Sequence, residues 1–321
     1  MVLGKKEKMK IKEKSNDFFG TKKGCLVDNA YDKYVLNNII RFYNENKVEY
    51  LHFQDCDLSS LSYFLSVKFL SIPDEATNVS CVNNLSELIG LEIYSSCICS
   101  INKAVLERIQ YLSILFNDNS VIDFSTFKAL KKLRVVGFTH NAVNITENLD
   151  FLELNCCKKI NTLDFLKNIH SLKSIKLDYL PKLENIRELK NISKSLNSLA
   201  ICDCKNIKDI EETLYALTGL KQLQIYTVTT DSRLTFSSLN FLKGMTALES
   251  FASNYKIADG NLSELLNLKD ANITSFYKNY NLKDKDLPHT YVLIDDNGVF
   301  RKVSLASLDL GKADERIRWL N

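Results

Sequence analysis

Glycine is scarce in this chain, ten in 321 residues, which leaves little material for the Gly-rich loops that cradle phosphates. Neither a phosphate-loop pattern nor His-Glu-x-x-His, Cys-x-x-Cys or Gly-x-Ser-x-Gly occurs. Histidine is equally sparse, and His52, His140, His170 and His289 are too far apart in sequence to suggest one catalytic cluster. No run approaches the roughly 20 apolar residues that a membrane helix needs. Lysines interrupt residues 5–14, so no signal-peptide core forms near the N-terminus. These absences point away from an enzyme, from any cofactor or metal, and from a membrane.

What is present is unevenly spread. The net charge is +3, yet residues 1–23 carry eight lysines against Glu7, Glu13 and Asp17, which leaves the rest slightly acidic. A basic excess confined to one tail predicts a solvated segment and no nucleic-acid partner. Nine cysteines, an odd number without the short spacings of a disulfide scaffold, favour a reducing compartment. The expected location is therefore the cytoplasm, or export without a classical signal peptide. Six Asn-x-Ser/Thr triplets, from Asn78 to Asn272, are what an Asn-rich chain produces by chance.

The strongest positive signal is an internal repeat. An apolar residue, one variable residue and a second apolar residue recur, often with Asn or Cys three positions on. Leu51-His-Phe53 precedes Cys56, Leu112-Ser-Ile114 precedes Asn117, Leu152-Glu-Leu154 precedes Cys157, and Leu199-Ala-Ile201 precedes Cys204. Leu223-Gln-Ile225 repeats the apolar pair, and weaker copies start at Leu70, Leu91, Leu133 and Ile175. Residues 248–262 match 273–287 at an offset of 25, pairing Phe251 with Phe276 and Tyr255 with Tyr280.

In a short strand, alternate side chains face opposite ways, so Leu152 and Leu154 would point into a core and Glu153 and Asn155 outward. An Asn amide beyond the strand can satisfy stranded backbone groups, and a buried Cys can replace it as a small apolar residue. Cys56, Cys157 and Cys204 are read that way, and Cys202 as an unreactive neighbour. Between strands, Leu163, Leu166, Ile169 and Leu172 form one helix-period set, and Ile207, Ile210, Leu214, Leu217 and Leu220 another, with Gly219 as a helix stop. Asp164, Asp209, Asp259 and Asp284 are placed to cap such segments.

On these residues the chain resembles the leucine-rich-repeat family, in a divergent bacterial form with Cys or Asn at the turn. The resemblance implies an α/β fold, a right-handed horseshoe solenoid with a parallel sheet on the concave face and helical or irregular segments on the convex one. It also implies protein recognition, and it transfers no catalytic residue. The expected organisation is a disordered basic tail over 1–22, an N-terminal helical cap over 23–46 and about eleven units over 47–287. A C-terminal cap over 288–321 would contain a hairpin turning at Asn297-Gly298 and a short helix near Trp319.

With that register the outward strand positions offer Tyr50, His52, Tyr94, Tyr111, Arg134, Glu153, Asp178, Tyr179, Tyr226, Tyr255, Tyr277 and Tyr280 to an unknown protein partner. Tyrosine buries a large area at small entropic cost and keeps a polar tip. An adaptor, inhibitor or effector that acts as a monomer fits this reading. The alternatives are a substrate-selecting region of an enzyme and an extracellular adhesin.

Overall fold

The structure, a computed structural model, describes residues 13–16, 18–28, 30–141, 143–145, 147–228, 235–273, 277–288, 292–294 and 300–302. The chain forms two compact units, 1–138 with 143–149 and 139–142 with 150–321.

In unit 1, β1 (Glu13–Asn16) pairs antiparallel with β2 (Thr21–Val27). Five strands then add in parallel: β3 (Tyr50–Phe53), β4 (Phe69–Ser71), β5 (Gly90–Tyr94), β6 (Tyr111–Leu115) and β7 (Lys132–Val136). Leu51, Leu70, Leu91, Leu112 and Leu133 lie side by side across these strands, and all five are wholly buried. The aliphatic pairs read from the sequence therefore line one face of one ladder.

Unit 2 repeats the arrangement with β8 (Phe151–Asn155), β9 (Ser174–Asp178), β10 (Ser198–Cys202) and β11 (Gln222–Tyr226). Further along, β12 (Thr235–Phe236), β13 (Ser250–Ser253), β14 (Lys256–Ile257) and β15 (Asp270–Ile273) follow. Strands β13 and β15 extend the main ladder, while β12 and β14 pair apart from it. Here Leu152, Ile175, Leu199, Leu223 and Phe251 form the buried row. Finally β16 (Val292–Ile294) pairs antiparallel with β17 (Phe300–Lys302). The expected turn at Asn297-Gly298 and the helix near Trp319 lie outside the described residues. Each unit is thus an α/β leucine-rich-repeat stack.

Among the described residues the return segments are mostly 3-10 turns, with α-helix at α1 (Lys33–Asn46), α2 (Lys103–Arg108) and α3 (Ile210–Tyr215). Their inward residues recur every third position, as in Leu58-Leu61-Phe64-Val67 and Leu163-Leu166-Ile169-Leu172, all buried. A spacing of three matches the three residues per turn of the 3-10 helix, so what reads as helix period is a tighter coil. Such turns suit coils of 19–28 residues, which have little length to spare on the return.

Several expectations change. Residues 13–16 and 21–27, placed in a disordered tail and a helical cap, are strands, and β2 is the first parallel strand of unit 1. Lysines do not exclude an edge strand; they are a usual device for keeping one from pairing further. Helix α1 is the return segment between β2 and β3, with Tyr43 packed on Phe64 at 5.1 Å. The 25-residue match near the C-terminus is a false registration, because Phe251 pairs with Ala271, 20 residues on. Asn281 confirms the shorter period by donating its Nδ2 to Asn261 Oδ1, 3.1 Å away, again 20 residues apart. Gly219 is not a helix stop, since α3 ends at Tyr215. Its missing Cβ would stand 2.7 Å from the Ser193 carbonyl oxygen, so glycine is there for close approach between coils.

Candidate interaction surface

The outward rows of each sheet are built by the same alternation that builds the core. In unit 1 the first row is Tyr50, Phe69, Gly90, Tyr111 and Lys132, and the second is His52, Ser71, Glu92, Ser113 and Arg134. Gly90 leaves a gap that lets the Phe69 and Tyr111 rings meet at 5.7 Å. Lys132 Nζ stands 5.5 Å from the Tyr111 ring centroid.

This face is not open. The turn joining β1 to β2 folds across it. Phe19 contacts Tyr50 at 5.8 Å and Phe69 at 5.2 Å between ring centroids, and the Arg134 guanidinium stands 4.6 Å from the Phe18 ring. Asn16 Nδ2 donates to Glu92 Oε2 at 3.2 Å, and Asn16 Oδ1 accepts from the Phe19 N–H. Tyr50 is accordingly only 3% exposed, so its expected role as an outward contact is overturned by the hairpin above it. His52 is half-buried and shares a 3.2 Å hydrogen bond with the Tyr50 hydroxyl. Burial and the nearby Lys14 ammonium hold its pKa below 6.5, against the pull of Glu92. Tyr94 and Tyr111 stay half-exposed.

In unit 2 three aligned rows face outward: Phe151-Ser174-Ser198-Gln222, Glu153-Lys176-Ala200-Gln224 and Asn155-Asp178-Cys202-Tyr226. Lys176 is central, with Nζ 2.9 Å from Glu153 Oε1 and 3.8 Å from Asp178 Oδ2. Glu153 is buried, which corrects its assignment as a contact residue; its carboxylate is paired with Lys176 from the adjacent strand. Burial raises the Asp178 pKa, with Lys176 working against the shift. Cys202 is pushed up to about 12 by burial and by the carboxylates of Asp178 and Asp203, which disfavours the thiolate at neutral pH. Burial likewise raises Cys204 to about 12, and Cys157 is buried, but Cys56 is exposed rather than a core residue.

Just past the strands the chain turns through left-handed backbone at Gly137 (φ 75°), Cys156 (φ 55°), Tyr179 (φ 52°) and Asp203 (φ 51°). In unit 2 each of these residues donates its N–H to the next coil: Cys156 to Asp178 O, Tyr179 to Cys202 O and Asp203 to Tyr226 O, at 2.9–3.0 Å. The turn lifts Tyr179 clear of the sheet, where it is 45% exposed. Asp203 instead points inward along the stack, accepting from Thr227 Oγ1 at 2.8 Å and the Val228 N–H at 3.0 Å.

The remaining tyrosines divide. Tyr255 is buried against Phe236 at 5.2 Å, a correction that follows from β13 ending at Ser253, two residues before it. Tyr280 accepts the Ile257 N–H at 2.8 Å, so its hydroxyl already serves the fold. Tyr277 is 40% exposed and stacks edge-on with Tyr280. Of the aspartates expected as caps, Asp209 accepts from the Ile186 N–H of the preceding coil and from Thr213 Oγ1 within α3. Asp164 binds Lys167 and Thr162, and Asp259 accepts from the Asn261 N–H, each within its own coil.

Sequence reasoning missed Phe18 and Phe19. Their signal was two adjacent Phe residues before Gly20 in a stretch otherwise rich in lysine.

Among the described residues no helix is long and apolar enough to cross a membrane, and no three His, Cys, Asp or Glu side chains are grouped to hold a metal ion. No protein-family model matches the chain, and no curated protein does. Among solved structures it is similar to an internalin (inlF) of Listeria monocytogenes str. 4b F2365, at 16% identity and a TM-score of 0.46. That likeness covers 71% of this chain and 74% of that one. The repeat architecture stands on the strand ladder of the chain itself.

Proposed function

We propose that the chain is a protein-binding repeat module, acting as a monomer and without catalysis, and that its contact surface is the outward face of unit 2. One observation carries this reading. Asn155, Asp178, Cys202 and Tyr226 form a half-exposed row in strict register, with Lys176 and Gln224 beside it and exposed Tyr179 at its rim. Mixed charge around tyrosines, on a rigid sheet, is the composition of a recognition surface. Nine unpaired cysteines, five of them not buried, suit a reducing compartment such as the cytoplasm.

The test is affinity capture from the native cell with wild type, Tyr179→Ala/Tyr226→Ala and Asp178→Lys. The expected result is one protein retained by wild type and depleted at least 10-fold by either variant, with melting unchanged. A truncated anchor at such a surface typically costs about 2 kcal/mol or more. Equal retention of every captured protein by all three chains would overturn the assignment.

A further inference from the structure

The turn between β1 and β2 is where a side chain is normally solvated, yet Phe18 and Phe19 are both only 5% exposed. They are consecutive, so a single strand-like alternation cannot hide both. They are hidden because the turn lies on the outward face of unit 1, Phe19 on Tyr50 and Phe69, Phe18 under Arg134. The seat is shaped for this. A Cβ at Gly90 would collide first with the Phe69 ring and would also stand 3.3 Å from the Phe19 ring, so glycine makes room for both. Polar groups at the rim match as well: Asn16 Nδ2 reaches Glu92 Oε2 at 3.2 Å and lies 3.4 Å from the Tyr50 hydroxyl. Gly20, at φ 70°, closes the turn that presents both rings.

We propose that the outward face of unit 1 is a ligand groove occupied in cis by the chain's own Asn16, Phe18 and Phe19, and that release of these residues opens it to an extended partner segment carrying two adjacent aromatic residues. The chemistry of that partner is displayed by the occupant. Adjacent rings fill the gap over Gly90 and stack on Tyr50 and Phe69. One of them accepts the Arg134 cation on its face, and an Asn-like amide bonds Glu92. The face beneath holds the buried Tyr50 and Phe69 rings with buried Ser71 and Ser113, so an opened groove exposes apolar surface that favours re-occupation. The groove differs from the contact surface proposed for unit 2, and neither proposal depends on the other.

The experiment uses the full chain and a fluorescein-labelled peptide of residues 13–21, Glu-Lys-Ser-Asn-Asp-Phe-Phe-Gly-Thr. Fluorescence anisotropy is measured with wild type and with Phe18→Ala/Phe19→Ala. If that double variant fails to fold, by circular dichroism, Phe19→Ser replaces it. The emptied variant should bind the peptide at least 10-fold more tightly than wild type does, and a peptide with both Phe residues changed to Ala should not bind. In parallel, nitration of Tyr50 followed by mass spectrometry should be slow in wild type and at least 10-fold faster in the variant. Equal peptide binding by wild type and variant, no binding to either, or equal nitration of Tyr50 would overturn the proposal.

Discussion

At Cys156 the backbone sits at φ 55°, a region that L-residues with a Cβ enter only at a cost. The N–H bond from that residue to the Asp178 carbonyl, 2.9 Å long, fixes the conformation from the neighbouring coil. Replacing Cys156 with β-branched Ile should therefore lower stability by about 1–3 kcal/mol in urea unfolding, whereas Cys156→Gly should not lower it. Equal effects of the two changes would remove the strain argument. His52 gives a second prediction at this scale. The groups facing it are the Tyr50 hydroxyl on its own strand, Lys14 on β1 and Glu92 on β5. Its pKa is lowered in the folded chain, first by burial and then by Lys14, so the fold prefers the neutral ring. The contribution is fully present above the ordinary value of 6.5 and is lost as pH falls from there through the depressed value. Unfolding free energies measured from about pH 8 to about pH 5 should fall more steeply for wild type than for His52→Gln. Parallel curves would show that His52 is not coupled to the closed hairpin.

A single coil is held by an inward apolar row on the strand, a 3-10 return and backbone bonds to the next coil. Where the return passes closest to its neighbour, at Gly219, the N–H donates to Ser193 O at 3.1 Å and a Cβ would meet the Ser193 and Lys194 carbonyl oxygens. Backbone cannot move aside as a flexible side chain does. Gly219→Ala should cost about 1–3 kcal/mol, although alanine is by propensity the better residue in most segments. By contrast, Lys208→Ala should change stability by less than about 1 kcal/mol, because the Lys208–Glu184 pair is exposed on both sides. Thermal unfolding of both variants decides between packing and surface charge as the force between coils. At this scale the strands were legible: nine starts, from Leu51 to Leu223, lie in the register their aliphatic spacing implies. The first strand was not, because Cys25 and Val27 make a short pair without leucine at either inward position. The last was misplaced because local likeness of Asn254-Tyr255 to Asn279-Tyr280 outweighed an unremarkable Ala271, and only the ladder reveals that Ala271 is the residue beside Phe251.

Across the whole chain, outward alternation was readable but occupancy was not. Parity of a strand residue follows from the sequence, so Tyr94, Tyr111 and Tyr226 are on the expected face. Whether something lies over that face depends on contacts far apart in sequence, such as Phe18 with Arg134 and Asn16 with Glu92, which no periodicity encodes. The opposite holds for stability, which in a repeat stack is local, because each coil is buried chiefly by its immediate neighbours. Leu199, wholly buried in β10, aligns with Ile175 on one side and Leu223 on the other. Leu199→Ala should cost about 2–5 kcal/mol, and the loss should be concentrated there. Native-state hydrogen exchange is expected to accelerate most in β9, β10 and β11, with the amides of β3, β4 and β5 little changed. Uniform acceleration through both units would mean that the chain unfolds as one cooperative body, and the nearest-neighbour account of its stability would fail with it.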